Sequence, residues 1–267
     1  MLLAASGLIG CPVKASDGGG DVGTVKDFLF DDRSWKVRWM VVDTGHWLPG
    51  RQVLIHPSAI EPLVLPPKPA LPMVSMGAAL VVTVRSTRRQ IEAGPSAAED
   101  EPVTRQFEAR LYDYYGWDPF WGGSHFGGDA VVTRPSGRPV PAEVAEGRAE
   151  DLDAPPGDPH LGSASDIKGF AVHAADGDLG PVEHVLADDV SWDIRYLVVA
   201  THHWLPGKLV QLAPQAVTDI DWPQRRVSVN VTREQVKSAP AWNPLAMADQ
   251  VTEEQVRRHF GWPGHHP

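Results

Sequence analysis

The sequence predicts a mainly β protein built from two small six-stranded β-barrels, each with a short helical tail. Three observations support this prediction. The 267 residues suit two domains, and residues 23–60 align with residues 180–217 without a gap. Short runs of β-branched and aromatic residues also alternate with turn-forming residues, and the chain contains 25 Gly and 25 Pro.

The internal repeat extends beyond the aligned block. Trp35 and Trp47 recur as Trp192 and Trp204 at one common spacing. The segment that begins with Thr87 resembles a later segment of the second copy, and both copies end in an aromatic residue followed by Gly-Trp. Two copies are too few for a solenoid, so each copy is expected to form its own domain.

Each copy shows about six strand-like segments, as expected of a small barrel. In the first copy they are residues 11–15, 22–30, 35–43, 52–55, 60–65 and 79–84. The clearest counterparts in the second copy are residues 171–174, 192–200, 209–212, 217–220 and 227–231.

Helices are predicted after the last strand of each copy. Thr87 with Gln90, and Thr232 with Gln235, have the spacing of capping boxes. Residues 106–115 and 251–260 are longer amphipathic candidates. Residues 118–161 are rich in Gly, Pro, Ser and acidic residues and are expected to form a linker. The predicted boundaries are barrel 1 at 1–95, its tail at 96–117, the linker at 118–161, barrel 2 at 162–241 and its tail at 242–267.

Charge and cysteine content restrict the expected partners. The formal net charge of −10 disfavours nucleic acid and anionic lipid surfaces. No apolar stretch is long enough for a membrane span. Because Cys11 is the single cysteine, no intrachain disulfide can form. We therefore expect a cytoplasmic protein without an integral membrane span.

No motif for catalysis or for a cofactor is recognised. Glycine-rich phosphate loops and nucleophile elbows are missing from the sequence. The Asp31-Asp32 and Asp188-Asp189 pairs precede tight turns, so their carboxylates are expected to bond the backbone rather than a metal. Only one histidine, His46, recurs in the second copy. We therefore predict no catalytic, cofactor or metal site, and no enzyme.

The candidate interface residues lie on one strand of each copy and beside it. Strict alternation places Arg38, Met40 and Val42 on the same face of that strand. Because the opposite face is apolar too, the outer face needs a cover: the helical tail, the sister barrel or a second chain. We expected a second chain, and hence a homodimer with its arginines at the rim. The second-copy residues of this face are Arg195, Leu197 and Val199.

Trp47 and Trp204 precede Leu-Pro-Gly and are the remaining interface candidates. Either they pack against the barrel mouth, or they anchor a partner, since tryptophan is frequent at binding hot spots. The sequence leaves both readings open.

Together these motifs resemble the PRC-barrel domain, in tandem. The residues that carry the resemblance are Leu8-Ile9-Gly10, Gly23-Thr24-Val25, Asp31-Asp32, the strand from Trp35 to Asp43, and Trp47-Leu48-Pro49-Gly50. This domain is shared by the cytoplasmic barrel of the photosynthetic reaction centre H subunit and by the C-terminal domain of the ribosome maturation factor RimM. The resemblance implies a small β-barrel used as an adaptor, with no catalytic residues to transfer.

The expected function is therefore non-catalytic binding and assembly with a protein partner that the sequence does not identify. One alternative is an accessory factor of a membrane or photosynthetic complex. Another is a protein that binds a small molecule or a metal.

Overall fold

The structure, a computed structural model, describes residues 1–18, 20–63, 80–98, 102–117, 157–201, 207–243 and 250–263. It is mainly β, as predicted, and contains two seven-stranded sheets, neither of them closed into a barrel. The two sheets follow each other along the chain, and each belongs largely to one copy of the repeat.

The first half runs from Leu2 to Tyr115. Its elements are β1 (Leu2–Ala4), α1 (Ala5–Leu8), β2 (Pro12–Ala15), β3 (Asp21–Asp31), β4 (Lys36–Asp43), β5 (Arg51–Ile55), β6 (Val82–Val84), α2 (Arg88–Ala93), β7 (Ala97–Ala98) and α3 (Arg105–Tyr115).

The second half runs from Leu161 to Phe260. Its elements are β8 (Leu161–Ser163), α4 (Ala164–Ile167), β9 (Ala171–Ala174), β10 (Gly177–Asp188), β11 (Ile194–Ala200), β12 (Leu209–Leu212), β13 (Val217–Asp221), β14 (Arg226–Val229), α5 (Arg233–Ser238) and α6 (Gln250–Phe260).

The two halves exchange their first strands. The order of the first sheet is β6-β2-β3-β4-β5-β7, and β8 of the second half pairs with β3. The order of the second sheet is β12-β11-β10-β9-β14-β13, and β1 of the first half pairs with β10. Each half therefore completes the sheet of the other, and the two are not independent domains.

The predicted closure of each barrel is not observed among the described residues. The chain passes from β5 into a 3-10 turn at Pro57–Ala59, and from β12 into another at Pro214–Ala216. These turns stand between the two strands that would have to pair to close each barrel. The last residue of each turn still bonds to a distant strand end, because the Arg85 N–H donates to the Ala59 carbonyl and the Asn230 N–H donates to the Ala216 carbonyl, both at 2.8 Å. Ile60 adds a single bridge to Val84, which is too short to make a closing ladder.

The tips of the two central hairpins meet at the junction of the halves. Trp35 and Trp192 both adopt a left-handed backbone, with φ of 57° and 58°. The Val37 N–H donates to the Trp192 carbonyl at 2.9 Å, and the Ile194 N–H donates to the Trp35 carbonyl at 2.7 Å. This reciprocal pair joins the two sheets about an approximate two-fold axis.

The first aspartate of each pair makes turn hydrogen bonds, as predicted, whereas Asp32 binds His160 and Trp222 and Asp189 binds the Met1 amine. Asp31 Oδ1 accepts from the backbone N–H groups of Arg33 and Ser34, at 3.2 and 2.7 Å. Asp188 Oδ1 accepts from those of Val190 and Ser191, at 3.0 and 2.9 Å.

A β-bulge in each central hairpin changes the predicted pattern of faces. The register between β3 and β4 skips Arg38, and that between β10 and β11 skips Arg195. Because a bulge inserts one unpaired residue, alternation shifts at that point. Val37 therefore shares the main core with Met40, and the predicted grouping of Arg38 with Met40 on one face is wrong.

Both faces of β4 are covered within a single chain. The main core extends through both halves and includes Met40 and Val42. A smaller apolar cluster packs the opposite face of β4 against α3, which was one of the three covers considered from the sequence. Its members are Trp39, Val41, Leu54, Val103, Phe107, Leu111 and Tyr112.

The predicted helices are confirmed where the structure describes them. Thr87 and Thr232 form complete capping boxes with Gln90 and Gln235. Residues 118–156 of the predicted linker lie outside the described residues. The last part of that linker is folded, because Asp158 is buried and β8 already begins at Leu161.

Candidate interaction surface at the junction of the two halves

A buried ion cluster surrounds Arg38, which we expected at an interface rim. The guanidinium is 0% exposed and donates to Glu108 Oε2 and, at 2.7 Å, to Asp158 Oδ2. Asp31 Oδ2 lies 3.5 Å away, and the Trp39 indole N–H donates to the other oxygen of Glu108. The bulge directs Arg38 toward α3, so this residue is corrected from a surface contact to an internal link between β4, α3 and the start of the second half.

The pKa values of the two carboxyl groups shift in opposite directions, although burial acts in the same sense on both. Desolvation raises the pKa of Glu108 despite the nearby Arg38 charge and the Trp39 hydrogen bond. Desolvation acts in the same sense on Asp158, but hydrogen bonds from Arg38 and the His160 backbone outweigh it, so its pKa is lowered. The hydrogen bonds around Asp158 therefore favour its charged form.

The second half contains a looser counterpart of this link. Arg195 Nη2 lies 3.4 Å from Glu253 of α6, and the two side chains are 19% and 20% exposed. Glu108 and Glu253 stand at the same spacing before a Gly-Trp pair. The sequence prediction placed these arginines at a rim between two chains, whereas the structure pairs each of them with a carboxylate of a tail helix inside one chain.

The apolar interface candidates are all internal. Met40, Val42, Leu197 and Val199 are each at most 1% exposed. They were expected to need a second chain because α2 and α5 are too short to cover a barrel wall. The sister sheet and the longer tail helices supply that cover instead, so these residues carry no argument for a homodimer.

The two tryptophan candidates have different outcomes. Trp47 is half-buried, and the Arg88 guanidinium lies 4.3 Å from the centroid of its ring. Trp204 lies outside the described residues. Trp47 is thus partly covered by a residue of α2, which supports packing at this position.

A cleft of about 600 Å³ lies where the first hairpin tip meets the second half. Sequence reasoning missed it, because its residues come from segments that are distant along the chain. Its walls combine two arginines, two aspartates and several apolar side chains. The lining residues are Asp32, Arg33, Ser34, Trp35, Asp193, Ile194, Arg195, Pro214, Gln215 and Val217.

Metal-binding geometry is not found in the described part of the chain. No group of three or more His, Cys, Asp or Glu side chains there could hold a metal ion. Cys11 is fully buried, and desolvation raises the pKa of its thiol to about 11. Such a thiol stays protonated at neutral pH and is a poor nucleophile or ligand.

The fold and the cleft define a mainly β protein with a mixed-charge recess between two joined sheets. Residues 2–62 match the model of the PRC-barrel domain family, which is less than a quarter of the chain. A search of curated proteins finds no match. No helix in the described ranges is long and apolar enough to cross a membrane.

Proposed function

We propose that this protein is a non-catalytic adaptor built from two PRC-type units, and that a protein partner binds at the junction between them. The observation that carries the proposal is the cleft itself. It exists only when both halves are joined, because β1 and β8 fasten each half to the other. Clefts between joined units are common places for binding.

That the second half is also a PRC-type unit is part of this proposal, because the family match covers only residues 2–62. Three features of the first half recur in the second: the bulged arginine, the left-handed tryptophan at the hairpin tip and the capping box after the last strand. The repeat in the sequence and these features together support two units of one type.

The buried and half-buried acidic side chains that could act as general acids or bases are already bound to groups of the protein. Asp31 and Asp188 bond turn N–H groups, and Glu108 is closed off with Arg38. Asp27 accepts from Ser163 and Ser165 at the start of α4, which again joins the halves. These roles support a scaffold rather than an acid–base site.

Site-specific photo-crosslinking in the native host tests the proposal. Gln215 is exposed and lines the cleft, so a photoreactive amino acid at this position should capture a defined protein. The same amino acid at exposed Arg89 of α2 is the control. Mass spectrometry should identify a product present at Gln215 and missing at Arg89.

The identity of that product also decides between the narrower readings. Subunits of a membrane or photosynthetic complex would indicate an accessory factor, and a second copy of this chain would support the homodimer. No specific product at Gln215, together with thermal stabilisation by a metal or a metabolite, would replace the adaptor with a ligand-binding role.

A further inference from the structure

The cleft at the junction offers hydrogen-bond donors that the protein leaves unused. The Arg33 guanidinium is exposed, and no carboxylate or carbonyl of the described chain binds it. The indole N–H of Trp35 likewise donates to no described residue. Arg195 is held by Glu253 through one terminal nitrogen, but its Nε is buried without a hydrogen-bond partner. Arg33 and Trp35 therefore offer accessible donors to a ligand in this recess, whereas the buried Nε of Arg195 lies out of its reach.

The aspartates of the same cleft are already satisfied. The Trp222 indole donates to Asp32 at 3.1 Å, and His160 Nδ1 lies 3.0 Å from the other oxygen of that carboxylate. Asp193 lies 3.7 Å from the ammonium of Lys36. Asp32 is thus satisfied by two hydrogen bonds and Asp193 has a cationic neighbour, whereas the exposed Arg33 guanidinium has no anionic neighbour among the described residues.

The remaining walls are apolar. Trp35, Pro214 and Val217 are partly exposed side chains that line the recess. A small inorganic anion would leave this apolar surface in water, whereas a peptide can cover it and also supply an acceptor.

We infer that the cleft binds a short peptide segment of a partner protein, one that presents a single carboxylate beside apolar side chains. This inference rests on the proposed adaptor function and specifies the chemistry of the partner. The carboxylate meets the Arg33 guanidinium and the Trp35 indole N–H, and the apolar neighbours lie on the Trp35 ring and Pro214. Charge-assisted hydrogen bonds of this kind are the strong ones.

The charge of the whole molecule favours one carboxylate over a polyanion. At a formal net charge of −10, the surface repels nucleic acid and highly acidic chains over long distances. A single carboxylate carries little of that repulsion and gains its pairing at short range.

Selection from a phage-displayed library of random heptapeptides tests the inference on the full chain. Three baits are used: the wild type, Arg33→Gln, and the matched control Arg89→Gln on α2. Arg33 and Arg89 are both exposed, so both variants should keep the circular dichroism of the wild type. The wild type and the control should enrich peptides with one Asp or Glu between apolar residues, and Arg33→Gln should not.

The most enriched peptide is then synthesised with its acidic residue and with the corresponding amide. Calorimetry should show binding at least about tenfold weaker for the amide peptide, and a similar loss for Arg33→Gln with the acidic peptide. Enriched peptides without an acidic residue, or equal binding by Arg33→Gln, would overturn the inference while leaving a peptide-binding adaptor intact. Failure to enrich any peptide also overturns it, and the crosslinking result at Gln215 then decides the adaptor function separately.

Discussion

At the scale of single residues, Arg38 shows how one backbone irregularity changes the role of a side chain. Val37 and Trp39 flank it with the apolar pattern of an ordinary strand, so nothing local to the sequence indicates a bulge. The bulge depends on the pairing of β4 with β3, which is a property of two strands. For this reason the sequence could predict a strand at this position but not the face on which Arg38 lies.

The buried cluster leads to a prediction with a control inside the same chain. Arg38→Met should lower the free energy of unfolding by about 3–5 kcal/mol, because Glu108 would stay buried without its cation and Asp158 would keep only the half-exposed Arg105. Arg195→Met should cost no more than about 1 kcal/mol, since the pair with Glu253 is longer and partly exposed. Urea denaturation followed by circular dichroism measures both.

A third variant keeps this comparison informative if Arg38→Met does not fold. Arg38→Lys retains the charge but cannot reach both carboxylates with one planar group, so its loss of stability should lie between the other two. Equal losses of stability for Arg38→Met and Arg195→Met would show that burial of the Arg38 cluster does not make its cation more important than the cation of the exposed pair.

At the scale of elements, most strands and helices lie where the sequence predicts them, but the predicted strand at residues 60–65 is not observed, because residues 60–63 form only a single bridge at Ile60. The capping boxes of α2 and α5 and the amphipathic pattern of α3 are local signals, and the structure confirms each of them. The sequence did not predict that β1 pairs with β10 or that β8 pairs with β3. Because the two copies have similar edges, a first strand can satisfy either β3 or β10, and local sequence does not distinguish them.

The close contact between Gly162 of β8 and the Trp222 ring gives a prediction at this scale. A Cβ on Gly162 would lie 2.1 Å from Cζ2 of Trp222, so Gly162→Ala must displace that ring. We expect Gly162→Ala to destabilise the protein by about 1–3 kcal/mol through overpacking. In a Trp222→Leu background, which removes the clash, the same substitution should cost much less.

Thermal or urea unfolding of the four proteins in this double-mutant cycle measures the coupling. Additive losses would mean that Gly162 and Trp222 are not in contact, and hence that β8 does not pack in this place.

At the scale of the whole molecule, the two halves form one joined structure rather than two separately folded domains, because each sheet includes a strand of the other half. Composition predicts two β-rich halves, and the described residues contain one sheet for each of them. It could not indicate that the main core is shared, because burial against a distant segment leaves no local pattern beyond apolarity.

This arrangement predicts the behaviour of a chain cut between its halves. A specific protease site introduced within residues 118–156 should allow complete cleavage, yet the fragments should elute together at the size of the intact protein. The exchanged strands and the reciprocal bonds at the hairpin tips hold them. Size-exclusion chromatography with native mass spectrometry makes the measurement, and uncut protein is the control. Fragments that separate without denaturant would refute the strand exchange.

The exchange of first strands also has a consequence for how the protein is made. The edge of β3 that receives β8 leaves the ribosome about 130 residues before its partner does. At a synthesis rate of about 5–20 residues per second, this edge waits for roughly ten seconds with unmet backbone groups. During that interval β1 of the same chain is already synthesised and is the other first strand that could pair with this edge. The order of synthesis therefore favours a temporary pairing of β1 with β3, which has to be undone before β1 can pair with β10 and β8 with β3.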